Sequence, residues 1–298
     1  MTAAAGANEF DFTAKDFQAV ARIALERAGI SLNESKKTMV YARLSKRLRA
    51  HGFQNFSQYL NFVDDPGNTQ EMSALIAALT TNVTAFFREG HHFEYLRLKA
   101  LPPLIQRAKM GDRIRLWSSA CSTGEEPYSM AMTIFKLCPE APNLDIRILA
   151  TDVNEQVVEK ARAGQYPTES QQQVPGDLRT GSFVPVATGE KVEISHPVRS
   201  LITFNQLNLF EPWPFKGKFD IIFCRNVAIY FDKPTQEKLW AALADRLHIG
   251  GHLFIGHSER ISGRAATHLN AEGVTHYTKA NSANPISEHP NRGSAKCH

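Results

Sequence analysis

Apolar residues fall in two kinds of pattern, and the change of pattern divides the chain. From Thr13 onward the spacing is helical: Phe17, Val20, Ala21, Ile23, Ala24 and Leu25 recur at steps of three and four up to Gly29. A second helix is predicted from about Asn33, a candidate N-cap, to His51. It stops at Gly52 and carries Met39, Val40, Leu44 and Leu48 on one side and a basic face on the other. Phe56 to Phe62 and Met72 to Leu79 predict two shorter helices across the turn Asp65-Pro66-Gly67-Asn68, and helical character persists to about Met110.

After Gly111 the apolar residues come in short solid runs: Ile114 to Trp117, Ile146 to Leu149, Leu201 to Phe204, Ile221 to Phe223 and Leu253 to Ile255. Strands covered on both faces have this signature. Helical stretches at Pro127 to Leu137, Glu155 to Ala163 and Pro234 to Leu247 alternate with them, which predicts a doubly wound, parallel α/β sheet. Prolines and glycines between Gly164 and Ser200 interrupt the alternation around Phe183-Val184 and Val192-Glu193-Ile194, as a small inserted β-subdomain would. The expected division is a flexible N-terminus (1–12), a helical domain (13–95), an α/β domain (96–280) with its insert at 167–200, and a flexible tail (281–298).

The 298 residues are 43% hydrophobic and 21% charged, enough to build a sizeable core. A net charge of +4 is too small to demand a polyanionic partner. Cys121, Cys138, Cys224 and Cys297 form no CxxC pair, which suits a reducing cytoplasm. The N-terminus has no basic-then-apolar leader, and no run of 18 apolar residues occurs, so a cytoplasmic, non-membrane protein is expected.

Candidate chemistry gathers at the strand ends. Ile114 to Trp117 leads into Ser118-Ser119-Ala120-Cys121-Ser122-Thr123-Gly124-Glu125-Glu126-Pro127, small residues before a helix, with neither GxGxxG nor GxxxxGK[ST]. Two carboxylates where a phosphate cradle needs bare N–H groups disfavour a triphosphate. Glu125 and Glu126 suit a cationic or hydroxyl-rich ligand, or else serve as first-turn acids on a helix dipole. Asp152, ending the next strand, stands where dinucleotide folds bind ribose hydroxyls, or else caps the following helix. Asn208-Leu209 and Arg225-Asn226 end two further strands. These ends outline a site for an adenosine without phosphates, as in S-adenosylmethionine. His91, His92, His248, His252 and His257 lack metal-ligand spacing, so no metal is expected.

Four motifs carry a resemblance: Leu79 to Glu89 (LTTNVTAFFRE), Ser122 to Ser129 (STGEEPYS), Phe223 to Asp232 (FCRNVAIYFD) and Gly256 to Glu259 (GHSE). Together they resemble the CheR family of chemotaxis receptor glutamate O-methyltransferases over roughly residues 13 to 279. The resemblance implies a Rossmann-like S-adenosylmethionine-dependent sheet behind a helical domain, releasing S-adenosylhomocysteine. It implies cofactor contacts at Asn82, Thr84, Arg88, Glu126, Asp152, Asn208, Leu209, Arg225 and Asn226, with Arg88 and Tyr230 beside the transferred methyl group. A glutamate carboxylate is already ionised at pH 7, so alignment rather than a general base is the task.

By the same resemblance the basic second helix, through Lys36, Arg43, Lys46, Arg47 and Arg49, is expected to meet the acidic helical bundle of a methyl-accepting receptor. Many family members also capture a receptor C-terminal pentapeptide on a Gly-rich loop of the β-subdomain. Here Phe183 to Val192 holds the single glycine Gly189 in a short turn, so such capture is not expected. Two competing classes are a nucleic-acid methyltransferase, which would place an Asn/Asp-Pro-Pro-aromatic motif where Arg225-Asn226-Val227-Ala228 stands, and an adaptor that binds the cofactor without turnover. No nucleic-acid partner is expected, and with no extended exposed heptad a monomer is.

Overall fold

The computed structural model describes residues 9–187 and 189–281. Four helices open the chain: α1 (Ala14–Ala28), α2 (Lys37–His51), α3 (Phe56–Asp64) and α4 (Thr69–Leu79). Thr13 and Asp16 form a capping box at the start of α1, and Gly29, at φ 66°, ends it. Asn33 makes no capping bond to the backbone; a 3-10 turn, Glu34–Lys36, precedes α2 instead. Phe10 and Phe12 are buried, the latter 4.3 Å centroid to centroid from Phe56. The N-terminal stretch expected to be flexible is therefore packed from Phe10 onward, because two aromatic rings there find an apolar face. Residues 1–8 and 282–298, where flexible termini were expected, lie outside the described residues.

Next come α5 (Gly90–Tyr95), a π-helical turn (Leu96–Ala100) and α6 (Leu101–Lys109), which run on without a break. Phe93, Leu96, Leu101 and Ile105 belong to the core on one face of the sheet, so the expected boundary at residue 95 falls inside an element packed on the α/β unit. The sheet elements follow as β1 (Ile114–Ser119), α7 (Glu125–Leu137), β2 (Ile146–Asp152), α8 (Glu155–Ala163), β3 (Gln165–Pro167), α9 (Gly176–Arg179), β4 (Phe183–Pro185), β5 (Lys191–Ile194), α10 (His196–Arg199), β6 (Ile202–Gln206), β7 (Phe219–Cys224), α11 (Lys233–Asp245), β8 (Leu247–Ile255), β9 (Leu269–Ala271) and β10 (His276–Lys279).

Seven strands form one sheet in the order β6-β2-β1-β7-β8-β10-β9. The first five are parallel, and β10 and β9 close one edge as an antiparallel pair. The sheet is thus mixed rather than wholly parallel. A separate antiparallel sheet, β3-β5-β4, is the expected insert and begins two residues early, at Gln165.

Alternation along each strand feeds two cores. Leu116, Ile148, Ile221 and Phe223 join the face covered by α5 to α7. Trp117, Ile222 and Cys224 join the opposite face, where the cluster continues through Trp240 of α11 into Val20, Leu44, Phe56 and Leu75 of the helical domain. Helical domain and sheet thus share a core. Successive strands run outward from β1 to β2 and β6, then restart on its other side with β7, so β1 and β7 flank the switch point at which open α/β sheets bind ligands.

Candidate active site

A cleft of ≈ 1010 Å³, open solvent at its mouth included, lies over the carboxyl ends of the parallel strands. All ten residues expected around cofactor and methyl group line it: Asn82, Thr84, Arg88, Glu126, Asp152, Asn208, Leu209, Arg225, Asn226 and Tyr230. Ala28 and Ile30 of the helical domain close one side with apolar surface, as do Leu79, Phe210 and Phe231.

The floor is the β1–α7 loop, where Ala120, Ser122 and Gly124 all take positive φ (58°, 52° and 98°). At Gly124 a Cβ would stand 2.8 Å from Ala161 Cβ and 2.9 Å from Tyr166 Oη, so the loop needs glycine for both conformation and space. Asp152 holds the loop from β2: its Oδ2 accepts the Ser122 N–H at 2.9 Å and its Oδ1 the Asn154 N–H at 2.9 Å. Each oxygen keeps capacity for a further donor. Burial raises its pKa against these bonds.

Charge is concentrated at Arg225, buried just beyond β7. Its Nη1 stands 3.1 Å from Glu126 Oε2, its Nη2 lies 3.3 Å from Glu89 Oε2 and also donates to the Arg88 carbonyl, and its guanidinium packs over the rings of Phe93 and Phe223. Ser118 donates to the other Glu126 oxygen at 2.7 Å. Burial raises the Glu126 pKa, opposed by Arg225 and Ser118. At Glu89 burial likewise pushes upward, but Arg225, His257 and Asn226 outweigh it and hold the carboxyl at about 2. Glu125, expected beside Glu126 as a ligand-facing acid, accepts from Thr123 Oγ1 and does not line the cleft.

Two further acids, Glu89 and Glu259, sit within the sequence motifs. Glu259 is buried, and its carboxylate accepts four backbone N–H groups: Asn226 (3.1 Å), Val227 (3.0 Å), Ala228 (2.7 Å) and Gly256 (2.6 Å). It thereby fixes the turn carrying Arg225, Asn226 and Tyr230. Gly256 is obligatory beside it, since a Cβ there would stand 2.5 Å from Asn226 Nδ2. Glu89, at φ 57°, ties α5 to this turn through Asn226 Nδ2 and His257. Their position in motifs otherwise made of site residues was the available signal.

Arg88 donates from Nη1 to the Val83 carbonyl at 3.0 Å. The Tyr230 carbonyl accepts the Ser31 N–H, and Asn208 Nδ2 donates to the Arg27 carbonyl, so both residues tie the helical domain to the cleft. The histidines do have an acid neighbour: Glu89, His91 and His92 place ligand-type atoms within 4.8 Å of one another. The cation facing Glu89 there is the Arg225 guanidinium, and His92 Nε2 lies 2.7 Å from Thr275 Oγ1.

The basic helix requires a correction. Arg43 turns inward, donating to the carbonyls of Ala78, Leu79 and Thr80 at 3.2, 2.9 and 2.7 Å, so it closes the C-terminus of α4. Arg47 pairs with Glu71, which also accepts from Tyr59 and contacts His51. Arg49 pairs with Glu9. Of the five expected docking residues, Lys36 and Lys46 are exposed and make no ion pair among the described residues.

The CheR methyltransferase all-alpha domain matches residues 15–80, and the CheR methyltransferase SAM-binding domain matches residues 82–278. The chain belongs to the CheR methyltransferase family. Among similar proteins are a probable chemotaxis protein methyltransferase of Rhizobium etli, 48% identical over 84% of this chain and 94% of that one, and chemotaxis protein methyltransferase 2 of Pseudomonas aeruginosa, 42% identical over 92% and 96%. The chemotaxis protein methyltransferase of Escherichia coli is 40% identical over 83% of this chain and 84% of its own length. As a member of this family the chain is a methyltransferase that uses S-adenosylmethionine. The donor set agrees: the carboxylates of Asp152 and Glu126, apolar walls and no phosphate cradle suit a sulfonium-bearing adenosine. Among the described residues no helix is long and apolar enough to cross a membrane.

Proposed function

We propose that this chain methylates glutamate side chains on the cytoplasmic helical bundle of chemoreceptors, yielding glutamyl methyl esters and S-adenosylhomocysteine, and that it works as a cytoplasmic monomer. The observation that carries this reading is the convergence of Asp152, Glu126, Arg225, Asn226, Arg88 and Tyr230 on one cleft at the switch point. The relatives named as chemotaxis protein methyltransferases supply the substrate class.

Bound in the cleft, S-adenosylmethionine would supply an electrophilic sulfonium methyl group for transfer to an acceptor carboxylate oxygen, leaving S-adenosylhomocysteine. Asp152 would hold the ribose hydroxyls and Glu126 the methionine amine, while Asn82, Thr84, Asn208, Leu209 and Asn226 would complete the binding wall. Arg88 orients the acceptor carboxylate and Tyr230 aligns the methyl group. No proton needs removing, so their contribution is position.

Lys36 and Lys46 supply the basic docking face, with Arg43 and Arg47 committed to the fold. The β4–β5 connection, with Gly189 as its single glycine, argues against tight capture of a receptor C-terminal pentapeptide. Tritium transfer from S-adenosylmethionine to a receptor cytoplasmic fragment, released as methanol by base, tests the reaction. No base-labile label on the fragment would refute it. Submicromolar pentapeptide affinity in calorimetry would refute receptor recognition without the tether.

A further inference from the structure

Arg88 lines the cleft from a turn in which the residues on both sides of it, Phe87 and Glu89, take positive φ (53° and 57°). Neither is glycine, and a bulky residue stays in that region only when its surroundings hold it there. The Arg88 N–H closes the turn on the Ala85 carbonyl at 3.4 Å. Phe87 is therefore its third position, where positive φ ordinarily selects glycine.

Side chains from other parts of the chain do the holding. Ser129 of α7, which is buried, accepts the Phe87 N–H at 2.9 Å while donating to the Glu125 carbonyl at 2.6 Å. Gln173, at the end of a 3-10 turn of the insert (Thr168–Gln173), accepts the Phe86 N–H on Oε1 at 3.0 Å. Arg225 donates to the Arg88 carbonyl. The rings on the turn are fixed as well. Phe87 packs edge-on against Phe93 of α5, centroids 5.0 Å apart, and Phe86 meets Tyr166 of β3 at 4.9 Å and Phe183 of β4 at 5.9 Å. The insert thus reaches the turn that carries Arg88 through one hydrogen bond and two aromatic contacts, although no described residue of the insert lines the cleft.

We infer that Gln173 and Ser129 are positioning residues for methyl transfer: they hold the strained turn that aims Arg88, and through Gln173 the insert contributes to the reaction without touching a reactant. This rests on the role of Arg88 in the reaction proposed above, and it gives the insert a task separate from receptor capture. Loss of either bond lets the turn relax at Phe87, and a change of φ there redirects the Arg88 side chain. The consequence belongs to the alignment of acceptor and methyl group, and so to kcat, more than to cofactor affinity.

The test uses the full chain, S-adenosylhomocysteine calorimetry and methylation of a receptor cytoplasmic fragment. Gln173→Leu should lower kcat about fivefold and Ser129→Ala about tenfold, with receptor KM and S-adenosylhomocysteine affinity changed by less than about twofold. Gln173→Glu, which keeps an acceptor oxygen for the Phe86 N–H, should recover kcat. In an Arg88→Ala background, adding Gln173→Leu should change the single-turnover rate by less than about twofold, because the residue it acts through is gone. Gln173 is exposed, so its variants keep the fold and decide the matter if Ser129→Ala does not fold. A wild-type kcat in Gln173→Leu overturns the inference, as does a Gln173→Glu variant no faster than Gln173→Leu. A full fivefold loss on top of Arg88→Ala overturns it too, by placing the effect elsewhere. So does a fall in S-adenosylhomocysteine affinity that matches the fall in kcat, which would make the turn part of the cofactor wall. If wild type binds S-adenosylhomocysteine but never labels the receptor, the proposed reaction itself fails and this inference with it.

Discussion

Arg225 Nη1 stands 3.1 Å from Glu126 Oε2, a largely buried ion pair in the wall of the cleft. Because the same guanidinium also faces Glu89, one cation offsets two carboxylates that burial alone would drive toward the neutral form. Replacing Arg225 by Met strands both. The expected loss is about 3–5 kcal/mol of stability, together with S-adenosylhomocysteine binding, read by urea denaturation and calorimetry. Arg225→Lys keeps the charge but cannot span both acids, so it should retain the fold and still bind the product less tightly. Wild-type affinity in Arg225→Lys would show that the bridge does not shape the site.

Arg43 separates two accounts of the basic helix. As a receptor contact, its loss would raise the receptor KM alone. As the group that closes α4 and holds the wall leading to Asn82, its loss should weaken S-adenosylhomocysteine binding and lower stability by about 1.5–3 kcal/mol, the range for hydrogen bonds to a charged group. Lys36→Ala and Lys46→Ala should do the converse, raising the receptor KM more at low salt than at high while product affinity stays put. Calorimetry on the three variants decides between the accounts.

That contrast marks how far the chain could be read without coordinates. Solid apolar runs located the five parallel strands, and Gly29 and Gly52 ended their helices where expected, because these signals are local. The β9–β10 pair escaped because His276-Tyr277-Thr278-Lys279 has no apolar run and is held by pairing to β8. The motifs named the lining residues of the cleft, but not that Arg43 and Arg47 reach back into the fold; a helical wheel shows which face carries a guanidinium, not what lies within its reach. The role of Glu259 was equally hidden, since its partners lie some 30 residues away and are backbone N–H groups that any sequence supplies.

Glu259→Gln tests that role. The amide keeps one acceptor oxygen and turns a donor toward N–H groups, so the pair of bonds at one oxygen is lost, either those from Val227 and Ala228 or those from Asn226 and Gly256. Arg225, Asn226 and Tyr230 ride on the turn, and kcat should fall about tenfold or more while the receptor KM changes little, a misalignment of roughly 1.4 kcal/mol at the transition state. Glu259→Asp, which keeps the charge, should recover part of kcat. A wild-type kcat in Glu259→Gln would show that the turn holds without the carboxylate.

Acid should weaken this protein in two overlapping stages. Burial, reinforced by Arg225, lowers the His92 pKa to about 3, and burial with His252 lowers that of His276 to about 3. The unfolded chain therefore takes up these protons near pH 6.5 while the folded chain refuses them, so stability present above pH 6.5 is lost as pH falls toward 3. Glu89, held at about 2 when folded, adds stability above its unfolded value near 4.5 that disappears as pH falls from there toward 2. Both contributions decline in the same direction, the histidines first, each by up to about 1.4 kcal/mol per pH unit. Urea midpoints at pH 7.5, 6.5 and 5.5 should fall stepwise below pH 6.5. In His276→Gln the slope between pH 6.5 and 5.5 should be shallower than in wild type, since one of the two buried imidazoles no longer titrates. Midpoints independent of pH across that interval would mean that the unfolded and folded chains bind protons equally there, and that these imidazoles are not held neutral by their burial.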